Sequence, residues 1–301
     1  MKKLDFMGHR KIALAISCLL LAISVTSLAL RQLNWGLDFT GGTLLELHFS
    51  ESVNIEDLRS TILDAGEPNA IVVSYGTDRD ALIRLPKSVP EASSQVLVTL
   101  IRQQLDPDLE LKRQEFVGPQ VGEELREQGG LAMLLASACI MLYISFRFQA
   151  RFAVASVAAL IHDVIITLGF FSLTGMEFNL TVLAAILAVI GYSINDTIVV
   201  FDRIRENFRK LRIATVPDTI NISISETMDR TLATSFTTVL VLVALAVFGG
   251  EMILGFATAL LVGICVGTYS SIFIASSLLQ TLGVSRQDLL PPALENDEGE
   301  S

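Results

Sequence analysis

Six long apolar segments separated by polar stretches set the pattern of this 301-residue chain. A helix needs about 20 apolar residues to cross the hydrocarbon core of a bilayer, and each segment approaches or exceeds that length. The pattern therefore predicts a polytopic α-helical membrane protein with six transmembrane helices and both termini on one side. The segments are Ile12–Leu30, Leu131–Phe148, Phe152–Leu173, Leu180–Phe201, Leu232–Phe248 and Ile253–Leu279.

The first apolar segment allows a second interpretation. Lys2-Lys3 and Arg10-Lys11 precede it, and Ser27-Leu28-Ala29 lies near its end, as in a cleavable signal peptide. Its apolar stretch exceeds the ~7–15 residues usual for such a peptide. We expect a retained helix, and a signal peptide is the alternative.

The polar segment over residues 34–128 is the one long loop, and strand-like and helical patterns alternate within it. Asn54 is the expected cap of the first helix, and Gly76–Asp80 reads as a turn between the second and third strands. The order βαββαβ predicts a small α+β domain of the ferredoxin-like type. Its elements, in order, are Thr43–Phe49, Asn54–Leu63, Ala70–Tyr75, Ala81–Leu85, Glu91–Leu105 and Leu109–Val117.

Basic residues fix the expected orientation, because Lys and Arg concentrate in the cytoplasmic loops of membrane proteins. The short loops Thr174–Asn179 and Gly249–Glu251 contain neither residue. We expect both termini in the cytoplasm and residues 34–128 in the periplasm of a bacterium, with the chain in the inner membrane. The residues flanking the other face are Lys2, Lys3, Arg10, Lys11, Arg147, Arg151, Arg203, Arg205, Arg209, Lys210, Arg212, Arg230 and Arg286.

The same patterns divide the chain into six parts. They are 1–33 (N-terminus and first span), 34–128 (α+β domain), 129–202 (second to fourth spans), 203–228 (cytoplasmic loop), 229–280 (last two spans) and 281–301 (acidic tail). Apolar residues at helical spacing from Phe201 to Leu211 predict an amphipathic helix lying along the cytoplasmic interface over Arg203–Arg212. The tail from Asp288 has the composition of a disordered segment.

Composition removes several function classes. The formal charge of −10 and scattered basic residues argue against a nucleic-acid partner. Cys18, Cys139 and Cys265 lie in apolar segments and form neither a metal-binding nor a disulfide pattern. With no catalytic triad, metal cluster or phosphate loop in the sequence, we expect no enzyme and no cofactor.

Two aspartates inside the spans are the candidate functional residues, because ionisable groups at membrane depth are costly. Asp163 lies twelve residues after Arg151, which is roughly 18 Å along a helix. Asp196 lies seven residues before Arg203 in a polar stretch, so its face must meet protein or water.

Arg230, at the start of the fifth span, is the expected partner of Asp196, and Thr234, Thr237 and Thr238 continue its helix face. An Asp196–Arg230 contact that forms and breaks would switch the proton affinity of the carboxylate and couple protons to a shape change. A static ion pair that only orients helices is the alternative.

Asp163 has two alternative roles. It could relay protons directly, or it could be structural, as a helix cap or as a hydrogen-bond partner of hydroxyls such as those of Thr181 and Ser193. His162 points about 100° away from Asp163 around the helix axis, so we expect no histidine–aspartate relay.

In the sixth span, small residues at every fourth position predict a helix-packing face: Gly255, Ala259, Gly263, Gly267 and Ser271.

Three motifs in the chain carry a family resemblance. Gly36-Leu37-Asp38-Phe39-Thr40-Gly41-Gly42-Thr43 resembles the signature of the SecD/SecF family of bacterial protein-export subunits, although the glycines also suit a tight entry into the first strand. Phe116–Leu125 resembles the family's re-entry into the membrane. The segment Gly191–Asn207, GYSINDTIVVFDRIREN, is similar to the SecF branch in particular.

The resemblance implies half of a bundle of the resistance–nodulation–division type, with SecD supplying the other half. It also implies association with the SecYEG channel and YajC, contact with translocating preproteins, and use of the proton motive force. The family's functional aspartate and arginine match Asp196 and Arg230.

Two other functions remain open from the sequence. A proton-coupled exporter of lipids or small molecules would share the superfamily fold, although such exporters usually carry larger extracytoplasmic domains. A passive scaffold subunit would have no proton chemistry and would tolerate a neutral residue at Asp196.

Overall fold

The computed structural model describes residues 5–86, 91–211 and 214–285. Lys2, Lys3, Arg212, Arg286 and the predicted acidic tail from Asp288 lie outside the described residues. The helices are α1 (Arg10–Leu30), α2 (Leu37–Thr40), α3 (Ile55–Asp64), α4 (Glu91–Gln104), α5 (Pro119–Arg147), α6 (Ala150–Thr174), α7 (Leu180–Lys210), α8 (Val216–Phe248), α9 (Glu251–Tyr269) and α10 (Ser276–Thr281). The strands are β1 (Asn34–Trp35), β2 (Gly42–His48), β3 (Ile71–Tyr75), β4 (Thr77–Leu85), β5 (Glu110–Val117) and β6 (Glu177–Phe178).

Within the described residues, six helices are long and apolar enough to cross a membrane, which confirms the predicted fold class. The sixth consists of α9, a π-helical turn over Ser270–Ala275, and α10. We call the end of the bundle that carries Arg10, Arg147, Arg151 and Arg203 the basic end, and the opposite end, next to the β-sheet, the domain end.

The first span packs into the bundle against α6 and the sixth span. Ser27 on α1 and Ser172 on α6 share a hydroxyl–hydroxyl hydrogen bond of 2.9 Å. Nearer the basic end, the Tyr269 hydroxyl donates to the Ala13 carbonyl at 2.7 Å. Gly169 leaves no room for a side chain, since a Cβ there would lie 2.2 Å from the Cβ of Ser24.

The amphipathic segment after the fourth span is not a separate interfacial helix, so that prediction is wrong. It continues α7 without a break to Lys210. The apolar side chains of Phe201, Ile204 and Phe208 are buried in a cluster with Ile220 and Ile224 of α8. Because a neighbouring helix covers this apolar face, the segment packs against protein instead of lying on the membrane surface.

The predicted small-residue face of the sixth span packs against α7. A Cβ on Gly263 would lie 2.2 Å from the Cγ2 of Val189, and one on Gly267 would lie 3.1 Å from the Cβ of Ser193. Small residues therefore allow the two backbones to approach closely along this interface.

The α+β domain has the predicted element order, and its antiparallel sheet runs β3-β4-β2-β5. Helices α3 and α4 cover one face of this sheet. The core between the helices and the sheet contains Leu45, Leu47, Leu58, Ile83 and Ile101. Asn54 caps α3 as expected, its side chain accepting from the Glu56 amide.

The turn predicted over Gly76–Asp80 is shorter in the structure. Strand β4 already begins at Thr77, which pairs with Tyr75, and Gly76 alone reverses the chain at φ 71°. Asp80 is held in the strand because its carboxylate accepts hydrogen bonds from Thr77, from His48 Nδ1 at 2.6 Å and from Lys112 Nζ at 3.0 Å.

These hydrogen bonds predict an acid-sensitive step in the domain. The bond from the Thr77 hydroxyl, with those from His48 and Lys112, outweighs burial and holds the pKa of Asp80 well below its usual range. The resulting stabilisation is complete above the unfolded-state pKa of about 4 and is lost as the pH falls through the folded-state pKa. Asp80→Asn should therefore lower domain stability at neutral pH and weaken its dependence on acid.

The measurement is digestion of the purified protein by an acid-active protease as the pH is lowered. Asp78→Asn, an exposed neighbour in the same strand, is the control. Equal digestion of the two variants at every pH would contradict a stabilising role for Asp80.

Candidate functional site

The carboxylate of Asp163 lies fully buried at the centre of the bundle and joins three spans. Its Oδ2 accepts hydrogen bonds from Ser193 Oγ of α7 at 2.5 Å and from Ser270 Oγ of the sixth span at 2.7 Å. The Thr167 hydroxyl bonds the Asp163 backbone carbonyl at 2.8 Å. Of the two hydroxyls suggested by the sequence, Ser193 contacts Asp163, whereas Thr181 bonds Asn179 instead.

His162 contacts Asp163 after all, so the prediction that it points away is wrong. Its Nδ1 lies 2.8 Å from Asp163 Oδ1, and the imidazole is almost fully buried. Helical spacing gives the direction of the Cα–Cβ bond only, and rotation of the long imidazole side chain closes the remaining distance. Its Nε2 has no hydrogen-bond partner among the described residues.

The π-helical turn in the sixth span brings two adjacent serines into the core. Ser270 reaches Asp163, while Ser271 shares a 2.9 Å hydrogen bond with Thr197 of α7. Wider π geometry changes the angle between neighbouring side chains, and such turns are frequent at functional sites. Ser270 is not among the residues predicted from the sequence, and Ser271 is predicted only as part of a packing face, although Ser270-Ser271 in an apolar span is a visible signal.

Asp196 differs from Asp163 in its hydrogen bonding. Its side chain is only 3% exposed, yet its Oδ2 has no hydrogen-bond partner among the described residues. It lies on α7 one turn after Ser193 and directly before Thr197, both of which are bonded into the core. The backbone at Asp196 is therefore fixed, while one oxygen of its carboxylate has no partner among the described residues.

Arg230 and Asp196 are not in direct contact in this structure. Arg230 lies on the exposed side of α8 and forms no ion pair within the described residues. Nearer the basic end, Asn207 of α7 donates to Ser223 and Glu226 of α8 and holds the two helices together. Thr234, Thr237 and Thr238 bond carbonyls of their own helix.

The glycine motif connects the α+β domain to the domain end of α7. The Asp38 carboxylate accepts a hydrogen bond of 2.8 Å from the backbone amide of Leu180, the first residue of α7. Strand β1 pairs in parallel with β6, and Arg84 of β4 forms an ion pair with Glu177 of β6. Three contacts thus attach the domain to α7, the helix that carries Asp196, or to strand β6 directly before it.

Each motif residue has a structural position at this junction. Phe39 packs between Trp35 and Phe178, with ring centroids 5.5 and 6.0 Å away. Gly41 and Gly42 have φ of 68° and 128°, and Gly36 donates its amide to the Phe178 carbonyl at 2.9 Å. As expected, the glycines form the tight entry into the first strand of the sheet.

Metal ligation finds no support in the described part of the chain, where no group of three or more His, Cys, Asp or Glu residues could hold an ion.

Comparison with known families and proteins gives a consistent picture. Residues 98–285 match the family described as protein export membrane protein SecD/SecF, C-terminal, and residues 26–53 match the SecD/SecF GG motif. The chain is 49% identical to the protein translocase subunit SecF of Pseudomonas aeruginosa, over 96% of this chain and 94% of the relative. It is 42% identical to the SecF of Escherichia coli O157:H7, over 98% and 93%.

Solved structures agree with these relatives. A crystal structure of SecDF, a translocon-associated membrane protein from a Thermus species, is similar with a TM-score of 0.85 and 40% identity. SecDF in a super-membrane-facing form is similar with a TM-score of 0.69 and 39% identity. Each match covers 92% of this chain but only 38% of the SecDF chain.

The hydrogen bonds around Asp163 predict a large structural effect of its removal. Asp163→Ala leaves the buried hydroxyl of Ser193 without its acceptor, at about 1–3 kcal/mol for an unsatisfied group, while Ser270 keeps its bond to the Gly267 carbonyl. We expect a clearly lower melting temperature of the purified protein in detergent, measured by size-exclusion chromatography after heating. Asp202→Ala, which removes an exposed ion pair with Arg147, should cost only about 0–1 kcal/mol. Equal melting temperatures for the two variants would contradict this assignment.

Proposed function

The chain belongs to the SecD/SecF family of protein export membrane proteins, and from that premise we propose that it forms the SecF-type half of a proton-driven export motor. Together with SecD, it would use the proton motive force to promote preprotein movement through SecYEG. The potential supplies about 2.3 kcal/mol per charge per 100 mV, which is enough to bias a conformational change. The proposal assigns the chain no enzymatic catalysis.

Arg230 supports the need for a second half. It lies on the exposed side of α8, two residues before the apolar stretch Leu232–Phe248. A guanidinium facing lipid at the edge of the hydrocarbon core is costly unless it meets protein or water. A SecD bundle covering this face would provide that environment and leave Arg230 free to approach Asp196.

The unsatisfied Asp196 carboxylate is the observation that carries the coupling proposal. A buried carboxylate without a full set of donors gains by taking up a proton or by meeting a cation. We infer that the Asp196 carboxylate alternates between a protonated state and an ion pair with Arg230. Asp163, already hydrogen-bonded, would maintain the core during the exchange and contribute to proton transfer.

The domain junction supplies a route from this exchange to mechanical work. A shift of α7 relative to α8 would move Leu180 and therefore the Asp38, β1–β6 and Arg84–Glu177 contacts. The domain would then move with the helix that carries Asp196. The two SecDF structures match this chain to different degrees, which supports a movable arrangement in this family.

The orientation and partners of the chain follow from the same proposal. We place the basic end in the cytoplasm, the α+β domain in the periplasm, and the chain in the bacterial inner membrane. Partners would be SecD, the SecYEG channel, YajC and the translocating preprotein.

Asp196→Asn tests the coupling role most simply, since it keeps the size of the side chain and removes its titration. We expect loss of the proton-dependent part of preprotein export in cells carrying only this variant, with normal membrane levels and normal SecD co-purification. Asp202→Asn, on the same helix but half-exposed at the basic end, is the matched control and should export normally.

Full export by Asp196→Asn would instead favour a scaffold subunit or a coupling role for Asp163. Loss of SecD co-purification in that variant would mean that Asp196 acts in assembly.

A further inference from the structure

We propose that an open groove at the basic end, between the end of α5 and the last turns of α7, is the docking site for the acidic tail of this chain, residues 288–301. Arginines of the groove would bind carboxylates of the tail. This inference does not depend on the proposed function. The groove has a volume of about 320 Å³ and is lined by Arg147, Asp202, Arg205, Glu206, Arg209 and Lys210.

The groove carries an excess of positive charge, since four of its six lining residues are basic. Its two acidic residues are already bound. Asp202 accepts from Arg147 at 2.9 Å, and Glu206 accepts from Lys210. Arg205 instead donates to the Arg147 carbonyl at 3.3 Å and forms no ion pair within the described residues. The groove can therefore accept further anionic groups.

The α7 side of the groove is a single face of the helix. Its residues lie at positions i, i+3, i+4, i+7 and i+8 counted from Asp202, a spacing that places them on one side. Lys210 lies nine residues after Phe201, the last residue of the apolar segment, which is roughly 13.5 Å along the helix. The groove thus extends out of the hydrocarbon region. A peptide can lie along all of it, whereas a lipid headgroup reaches only its lower part.

The last described residues of the chain lie beside this groove. Arg151 Nη1 donates to the Gly283 carbonyl at 2.7 Å, and Val284 is buried in the apolar cluster that contains Phe148. Two guanidinium groups of the groove lie over the Phe148 ring, 5.1 and 5.8 Å from its centroid. The tail therefore starts close to its proposed docking site.

The tail has the complementary charge and sufficient length. Glu295 lies ten residues after Ser285, a reach of up to roughly 33–36 Å for an extended chain. Arg147 lies four residues before Arg151, which limits their Cα separation to about 15 Å. Residues 288–301 contain no Lys or Arg, and four of their five carboxylates fall within six residues. The five are Asp288, Glu295, Asp297, Glu298 and Glu300.

Tethering makes weak ion pairs sufficient for docking. A single exposed ion pair contributes little, but a short linker keeps the tail at an effective concentration on the order of millimolar near the groove. Several carboxylates on one segment then act together. Because these pairs are exposed, we expect docking to weaken as salt concentration rises.

Disulfide cross-linking of the full chain in native membrane vesicles tests for docking. Asn296→Cys places a thiol in the tail without removing a carboxylate, and Glu206→Cys places one in the groove without removing an arginine. Cross-linked peptides are measured by mass spectrometry after mild oxidation. The free native cysteines are first replaced by serine, namely Cys18, Cys139 and Cys265.

Lys11→Cys, paired with the same tail thiol, is the matched control. Lys11 is exposed at the basic end and lines a different cavity together with Gln280, five residues before Ser285, so the tail can reach it as well. We expect Glu206→Cys to cross-link at least about fivefold faster than Lys11→Cys, since only the groove holds the tail by several ion pairs.

Removal of charge tests the electrostatic basis of the contact. Arg205→Gln combined with Arg209→Gln should slow cross-linking at Glu206→Cys about fivefold, because two ion pairs with the tail are lost. Arg10→Gln combined with Arg203→Gln removes the same charge at the basic end but outside the groove, and should leave the rate unchanged.

A variant of the tail provides the same test if the groove variant does not reach the membrane. Asp297→Asn combined with Glu298→Gln removes two carboxylates and should also slow cross-linking about fivefold. Equal rates at the groove and control positions, or rates that neither loss of charge changes, overturn the docking site.

Anionic lipid is the competing occupant of the groove. Slow cross-linking in native vesicles that becomes fast in nanodiscs of phosphatidylcholine alone would mean that anionic headgroups fill the groove in the membrane, and would also overturn the proposal. Cross-linking does not involve export, so its failure would leave the proposed function standing.

Discussion

The arrangement of the bundle depends on the need of the Asp163 carboxylate for hydrogen-bond donors. Unsatisfied polar groups are costly in a membrane-spanning structure, so this carboxylate requires its donors from neighbouring helices. Ser193 and Ser270 provide them from α7 and the sixth span, which holds three helices in one register. That register in turn fixes Asp196, one turn along α7 from Ser193.

The two buried aspartates thus have complementary properties. Asp163 is satisfied by protein hydroxyls and keeps the core together, whereas the Oδ2 of Asp196 lacks a partner in the described part of the chain. A stable frame around an unsatisfied carboxylate is suited to exchange between a proton and a cation. The Asp38 carboxylate bonds the first residue of α7, so Asp196 and the contact with the domain lie on one continuous helix.

Much of the fold follows from the sequence, because long apolar segments and period-two strands are strong signals. The six spans, the βαββαβ domain and the Asn54 cap were predicted, and the residues at Asp163 and Asp196 were identified from their cost in lipid. The contacts of Asp163 with His162 and Ser270 were not predicted, since they depend on side-chain rotamers and on a π-helical turn that no sequence periodicity indicates. The interfacial helix was mistaken because an apolar face does not reveal whether lipid or α8 covers it.

Infrared difference spectroscopy of the SecD-bound complex between acid and neutral pH measures most directly which carboxyl group exchanges protons. The coupling role of Asp196 predicts a protonated-carboxyl C=O band that persists in Asp163→Asn and is lost in Asp196→Asn. A band that is lost in Asp163→Asn and persists in Asp196→Asn would contradict it and move proton exchange to the centre of the hydrogen-bonded core.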